Sequence, residues 1–140
     1  MISLELLSKM MECGRLEPYS KKKEIIKLCE QAKEYNFGIV YANLSYIPLI
    51  VNELKNTKIL VGVPISFPFG ATSMEMKIQE TKQAISEGAQ EIDMVMNIQR
   101  FKSGEYNYVE EDISGVVEEA KYYITKVIIE TCYLDKKEII

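Results

Sequence analysis

Asp93 is the residue whose type and position best suit acid–base chemistry in this sequence. It lies within the apolar run Ile-Asp-Met-Val-Met of residues 92–96, which is typical of a buried strand. Burial of a carboxylate costs on the order of several kcal/mol unless it is paired or protonated, and burial shifts its pKa. Because side chains alternate along a strand, Asp93, Val95 and Asn97 share one face. We therefore interpret Asp93 as a functional-site candidate; the alternative is a carboxylate near a strand start that binds loop amides.

Lys126 is the expected partner of Asp93. It opens the run Lys-Val-Ile-Ile-Glu, and strand alternation places Lys126, Ile128 and Glu130 on one face. If the two strands are neighbours, the ammonium could keep the carboxylate ionised or take part in proton transfer. The alternative is a lysine that ends the strand in solvent.

Composition excludes several classes of protein. The chain has 140 residues and no histidine, which excludes Ser-His-Asp and Cys-His catalysis and histidine-ligated metal sites. Three scattered cysteines without CxxC spacing fit a reducing compartment better than a disulfide framework or a zinc site. A net charge of −4 gives no support to a nucleic-acid partner. No apolar run approaches the ~20 residues of a membrane span, so we expect a cytoplasmic protein without a membrane partner.

The hydrophobic pattern alternates between strands and helices. Strands are predicted at residues 37–43, 58–66, 91–97 and 124–131, with helices over 20–35, 45–56, 72–88 and 109–120. Ser20 and Thr72 are the predicted helix caps. Continuous apolar strands that alternate with helices predict a parallel sheet with the helices outside. An open doubly wound sheet and part of a (β/α)₈ barrel both fit, although no GxGxxG or GxxxxGK[ST] follows a strand.

Several segments resemble the deoxyribose-phosphate aldolase family of class I aldolases, in order and in spacing. The resemblance spans about residues 20 to 140 and is carried by FPFGAT (67–72), GAQEIDMVMN (88–97), KSGEY (102–106) and KVIIET (126–131). It implies an α/β fold, a partial TIM (β/α)₈ barrel with about four parallel βα units preceded by an N-terminal helix. Residues 1–140 are then expected to be a single domain, the N-terminal half of such a barrel.

The resemblance also implies a reaction. Members of this family cleave 2-deoxyribose 5-phosphate to glyceraldehyde 3-phosphate and acetaldehyde through a lysine Schiff base, without a metal or other cofactor. A sugar phosphate is therefore the implied small-molecule partner. Asp93 corresponds to the aspartate that assists proton transfer at the carbinolamine, and Lys126 lies in a matching active-site strand. We predict both as catalytic residues.

The sequence departs from the family at several positions. The Schiff-base lysine of the family lies in FxKTSTG and a second lysine in GFKPAGG, and neither motif occurs here. The DHTLLKP-like segment of the family corresponds to GRLEPYS (14–20), Tyr41 replaces a cysteine, and Ser66 replaces a glycine. We therefore expect a chain that is truncated before the Schiff-base lysine and inactive alone.

Three functional hypotheses remain open. In the first, a separate C-terminal half completes a working aldolase. In the second, the chain is a non-catalytic half-barrel that forms a homo-oligomer, because an open sheet exposes two strand edges and an apolar concave face. In the third, Lys126 or Lys58 forms the Schiff base itself, helped by apolar neighbours that lower its pKa.

Overall fold

The computed structural model of the protein describes residues 2–140. The strands of this part of the chain are β1 (Glu12–Arg15), β2 (Ile39–Ala42), β3 (Leu60–Ile65), β4 (Glu91–Val95) and β5 (Ile124–Ile128). The helices are α1 (Leu4–Lys9), α2 (Lys22–Tyr35), α3 (Ile47–Glu53), α4 (Met74–Ser86), α5 (Ile98–Lys102), α6 (Tyr106–Glu119) and α7 (Lys136–Ile139). Short 3-10 turns lie at Leu44–Tyr46 and Thr131–Tyr133.

The five strands form one parallel sheet in the order β1-β2-β3-β4-β5. In the register of the first strands, Glu12 lies opposite Ile39, and Ile39 lies opposite Leu60. Strands that follow each other along the chain are therefore neighbours in space. A doubly wound sheet reverses its strand order at a switch point, whereas a barrel does not. The predicted partial (β/α)₈ barrel is confirmed, and the doubly wound alternative is wrong.

The structure contains one strand more than the sequence predicts. Strand β1 is formed by Glu-Cys-Gly-Arg, and its side chains alternate between exposed and half-buried. Such a segment has no apolar run and no alternation of apolar with polar residues, which are the signals by which strands are recognised. The sheet therefore contains the four predicted strands and, before them, the additional strand β1.

The contacts within the chain divide it into two compact units. The first unit contains the described residues up to Val63 together with Ala84–Glu91, and the second contains Pro64–Gln83 and Ile92–Ile140. The single domain expected over residues 1–140 stays a prediction. No helix within residues 2–140 has the length and apolar character needed to cross a membrane.

Helix α2 provides much of the core of the first unit. Its buried residues lie at helical spacing, namely Ile25, Leu28, Cys29 and Ala32. The helix ends at Asn36, which has a left-handed φ of 56°. The predicted cap is wrong, because Ser20 Oγ donates to Glu17 Oε2 at 3.3 Å and Lys21 precedes the helix.

The core of the second unit lies around the end of β4. Four residues are buried together there, Val95, Met96, Ile98 and Val109. On α4, Lys77 and Thr81 are fully buried, while Met74 and Ile78 are only half-buried. Helix α4 begins at Met74, and Thr72 is therefore not its cap.

Candidate functional site

Asp93 and Lys126 come together in the second unit. Strands β4 and β5 are neighbours, and Met96 N donates a hydrogen bond to Ile128 O at 3.0 Å. Lys126 Nζ lies 3.8 Å from Asp93 Oδ2, with the side chains 40% and 14% exposed respectively. The predicted pairing of the two side chains is confirmed, and their catalytic role stays a prediction.

The pair offers a carboxylate that is shielded from water beside an ammonium that solvent reaches. A carboxylate so placed can exchange a proton with a bound molecule that comes within about 2.6–3.2 Å of it. The ammonium supplies a positive charge at the same place, which suits an anionic or electron-rich substrate group. The arrangement therefore fits proton transfer in a reaction that does not need histidine.

A cavity of about 430 Å³ opens among the segments that follow the carboxyl ends of β3, β4 and β5. It is lined by Phe69, Ala71, Ile98, Gln99 and Tyr133. Active sites of (β/α)₈ barrels lie at the carboxyl ends of the strands. The cavity is thus at the end of the sheet where this fold binds its substrates.

The segment that follows β3 has an unusual backbone at Ser66. This residue has a left-handed φ of 55°, which favours glycine, the residue usual at this position in the family it resembles. Its Oγ lies 2.7 Å from Thr72 Oγ1, and its backbone amide donates to Glu80 Oε2 at 2.9 Å. Burial raises the pKa of Glu80, although the Ser66 amide and the Lys77 charge oppose this effect.

The second unit also contains a fully buried ion pair that the sequence pattern did not predict. Lys77 Nζ lies 2.5 Å from Asp112 Oδ2 and 2.9 Å from Val95 O, and both side chains have 0% exposure. Burial raises the pKa of Asp112, while the hydrogen bond and charge of Lys77 oppose this effect. No hydrogen-bond partner of Asp112 Oδ1 is present among residues 2–140.

Helical spacing marks both positions as core positions, although it does not show that the two side chains meet. Lys77 lies four residues before Thr81 on the buried face of α4. Asp112 lies three residues after Val109 and four before Val116, both buried on α6. Residues three and four apart share a helix face, so both charges occupy core positions. The pairing of a charge on α4 with a charge on α6 becomes evident only when the two helices are packed.

In the first unit, Tyr41 fills the space that the sheet leaves open beside a glycine. A Cβ on Gly62 would lie 2.3 Å from Tyr41 Cε1, and one on Gly14 would lie 3.2 Å from Tyr41 Cβ. The Tyr41 hydroxyl donates a hydrogen bond to Glu91 Oε1, and both side chains are buried. The residue that replaces the family cysteine is therefore packed and hydrogen-bonded, and its carboxylate partner was missed.

Lys58, the other lysine considered as a nucleophile, is exposed and precedes β3. An exposed lysine lacks the apolar surroundings that the hypothesis of a nucleophilic lysine requires. Of the two lysines considered as Schiff-base nucleophiles, Lys126 is the one that lies beside Asp93.

Comparison with known proteins identifies the family. Residues 7–139 match the DeoC/LacD family aldolase. The deoxyribose-phosphate aldolase of Clostridium novyi (strain NT) is 45% identical over 135 residues, which cover 96% of this chain and 61% of that protein.

Solved structures agree with this match. The crystal structure of a candidate deoxyribose-phosphate aldolase from Coccidioides immitis has a TM-score of 0.95 and 34% identity, over 99% of this chain and 55% of that one. The tetrameric deoxyribose phosphate aldolase of Aeropyrum pernix has a TM-score of 0.88 and 26% identity, over 98% and 58%. This chain thus spans less than two thirds of the length of each of these relatives. Because the family match covers nearly all of its residues, the chain belongs to the DeoC/LacD family of aldolases.

Proposed function

We propose that this chain supplies part of the active site of an aldolase that cleaves 2-deoxyribose 5-phosphate into glyceraldehyde 3-phosphate and acetaldehyde through a lysine Schiff base. The observation that carries the proposal is the Asp93–Lys126 pair, with 3.8 Å between Oδ2 and Nζ on adjacent parallel strands. The identity of 45% with a deoxyribose-phosphate aldolase supports the choice of substrate.

Asp93 has a defined task in this proposal. A lysine amine adds to the substrate aldehyde and forms a carbinolamine, and Asp93 gives a proton to its hydroxyl, which leaves as water while the imine forms. The C2–C3 bond then breaks as the C3 hydroxyl loses its proton, which releases glyceraldehyde 3-phosphate. The electron pair of the broken bond leaves an enamine on the lysine, which takes up a proton at C2 to become an imine, and hydrolysis of this imine releases acetaldehyde and frees the lysine amine. Lys126 holds the Asp93 carboxylate in place between these proton transfers.

The reacting amine of the proposal lies outside these 140 residues. Neither family motif for the two active-site lysines, FxKTSTG or GFKPAGG, occurs in the sequence. We therefore expect the 140-residue chain alone to form no specific imine with the substrate. A complex with the C-terminal half of a homologous aldolase is expected to form one.

Borohydride trapping with mass spectrometry tests the proposal. The chain is co-expressed with the C-terminal half of the Clostridium novyi relative and incubated with 2-deoxyribose 5-phosphate and borohydride. The expected result is an adduct on a lysine of the added half, formed about 10²–10⁴-fold more slowly with Asp93→Asn. Asp135→Asn is the matched control and is expected to leave the rate unchanged, because Asp135 is an exposed helix cap.

Two results would contradict the proposal. One is an assembled complex that gives no adduct; the other is an Asp93→Asn rate equal to that of the unmodified chain. An adduct on Lys126 of the 140-residue chain alone would instead support the hypothesis in which Lys126 is the nucleophile.

Association between copies is the second part of the proposal. The tetrameric Aeropyrum pernix relative supports it. Light scattering of the purified chain tests this part, and a strictly monomeric mass at micromolar concentration would contradict it.

A further inference from the structure

One peptide group in the second unit is held from both of its ends. This is the peptide between Val95 and Met96, at the end of β4. Its carbonyl oxygen accepts a hydrogen bond from Lys77 Nζ at 2.9 Å, and its amide donates to Ile128 O at 3.0 Å. The lysine of α4 and the strand β5 thus bind the same rigid, planar unit.

Lys77 has a fixed position because its ammonium is buried. Its Nζ lies 2.5 Å from Asp112 Oδ2, and neither side chain reaches solvent. Burial of an ammonium costs on the order of several kcal/mol, and its contacts with Asp112 Oδ2 and Val95 O offset this cost. If the ammonium left these two acceptors, the cost would no longer be offset. The ion pair therefore holds the Val95 carbonyl in one direction.

The direction of this peptide bears on the Asp93–Lys126 pair. Asp93 precedes Val95 by two residues on β4, and Lys126 precedes Ile128 by two residues on β5. The side chains lie 3.8 Å apart, close to the limit at which an ion pair is effective. The bond from Met96 N to Ile128 O joins the two strands beyond the pair, so a shift of this peptide moves the carboxylate relative to the ammonium.

We infer that Lys77 and Asp112 are positioning residues that set the separation of Asp93 from Lys126 through the Val95–Met96 peptide. The catalytic meaning of this inference rests on the proposed function, but the geometry can be tested without any activity. The alternative is that the buried pair contributes to stability alone.

A double variant separates the two roles. Lys77→Met with Asp112→Leu removes one positive and one negative charge, so the net charge near Asp93 is unchanged. Replacing a buried ion pair by apolar residues of similar size is often neutral or stabilising, so we expect the variant to fold. Circular dichroism and urea unfolding check this expectation.

The readout is the NMR titration of the Asp93 carboxyl carbon in the 140-residue chain. If the buried pair positions Asp93, the titration midpoint in the double variant rises by about one pH unit, since the carboxylate moves away from the ammonium. The matched control is Arg100→Met with Glu105→Leu, which removes an exposed ion pair of 2.6 Å in the same unit. This control is expected to leave the Asp93 midpoint unchanged.

An Asp93 midpoint that stays the same in the folded double variant overturns the inference. If that variant does not fold, Lys77→Gln with Asp112→Asn is measured in its place. The glutamine side chain is one bond shorter than lysine and carries no charge, so the Asp93 midpoint is again expected to rise, and an unchanged midpoint overturns the inference. Failure of the imine trap would contradict the proposed function without changing this titration, so the two failures are distinguishable.

Discussion

Tyr41 lies directly opposite Gly62 in the register of β2 and β3, and its ring occupies the space that a side chain at Gly62 would need. A Cβ at that position would lie 2.3 Å from ring Cε1 and 2.5 Å from Cζ. The ring has little freedom to turn away, because its hydroxyl is hydrogen-bonded to the buried Glu91. The tyrosine ring at position 41 therefore requires a glycine at position 62.

Gly62→Ala is expected to lower the free energy of unfolding by about 1–3 kcal/mol, the usual cost of an overpacked core. Urea unfolding measures this change. In a Tyr41→Cys background the alanine has room, and its cost is expected to fall by at least half. Equal costs of Gly62→Ala in the two backgrounds would show that the contact between the ring and the new methyl group is not responsible.

The βα alternation was predictable because β3 is a continuous apolar run and β4 is a short, largely buried strand, each between helices. The Asp93–Lys126 pair was predictable for a related reason. Each residue is a charge inside an apolar strand, and neighbouring parallel strands bring such residues together. The spacing of apolar and charged residues along the sequence was sufficient to predict these two features.

Other features depend on contacts that no local pattern displays. Strand β1 has no apolar pattern and forms because β2 offers it an edge. Glu91 is hydrogen-bonded to Tyr41, 50 residues away, and Lys77 is paired with Asp112, 35 residues away. A lysine on an amphipathic helix is usually solvated, and only its partner makes burial tolerable. Partners so distant in sequence become visible only once the sheet and helices are assembled.

Substitutions at Ser66 are expected to separate backbone strain from hydrogen bonding. Ser66→Ala keeps a side chain at a left-handed φ of 55° and loses the contact with Thr72 Oγ1, so we expect a loss of about 1 kcal/mol. Ser66→Gly loses the same contact, but relief of the backbone strain is expected to add roughly 1 kcal/mol to the free energy of unfolding. Urea unfolding should therefore rank Ser66→Gly above Ser66→Ala in stability. The reverse order would mean that the strain at this position is negligible.

Glu80 is expected to make the second unit less stable as the pH rises. Burial raises the pKa of Glu80 above its ordinary value of 4.5, so the folded state binds this proton more tightly than the unfolded state. Its contribution to stability is fully present below about pH 4.5 and is lost as the pH rises through the folded pKa. Urea unfolding of the unmodified chain and of Glu80→Gln at several pH values measures the difference.

Glu80→Gln is a close control because its amide oxygen can still accept the hydrogen bond from Ser66 N, 2.9 Å from Oε2 in the unmodified chain. The variant should gain stability relative to the unmodified chain as the pH rises from 4 to 7. A constant difference across this range would contradict the assignment to Glu80.

Helix α7 is expected to respond to pH in the opposite sense. Lys102 Nζ lies 2.8 Å from Glu138 Oε2 and 3.3 Å from Tyr133 O, and the hydrogen bond from Lys102 lowers the pKa of Glu138. A carboxyl group with a lowered folded pKa stabilises the folded state above its ordinary value of 4.5, and this contribution is lost as the pH falls through the folded pKa. Acidification should therefore loosen α7 before it unfolds the rest of the second unit.

Hydrogen exchange of the Ile139 amide, which donates to Asp135 O at 3.1 Å, reports on this helix. Lys102→Met is expected to speed its exchange at neutral pH and to weaken its dependence on pH. The global stability should change little, because exposed ion pairs contribute little to folding. Lys121→Met provides a control, since Lys121 lies over the Tyr122 ring instead. Equal exchange rates in the Lys102→Met and Lys121→Met variants would mean that Lys102 does not hold α7 in place.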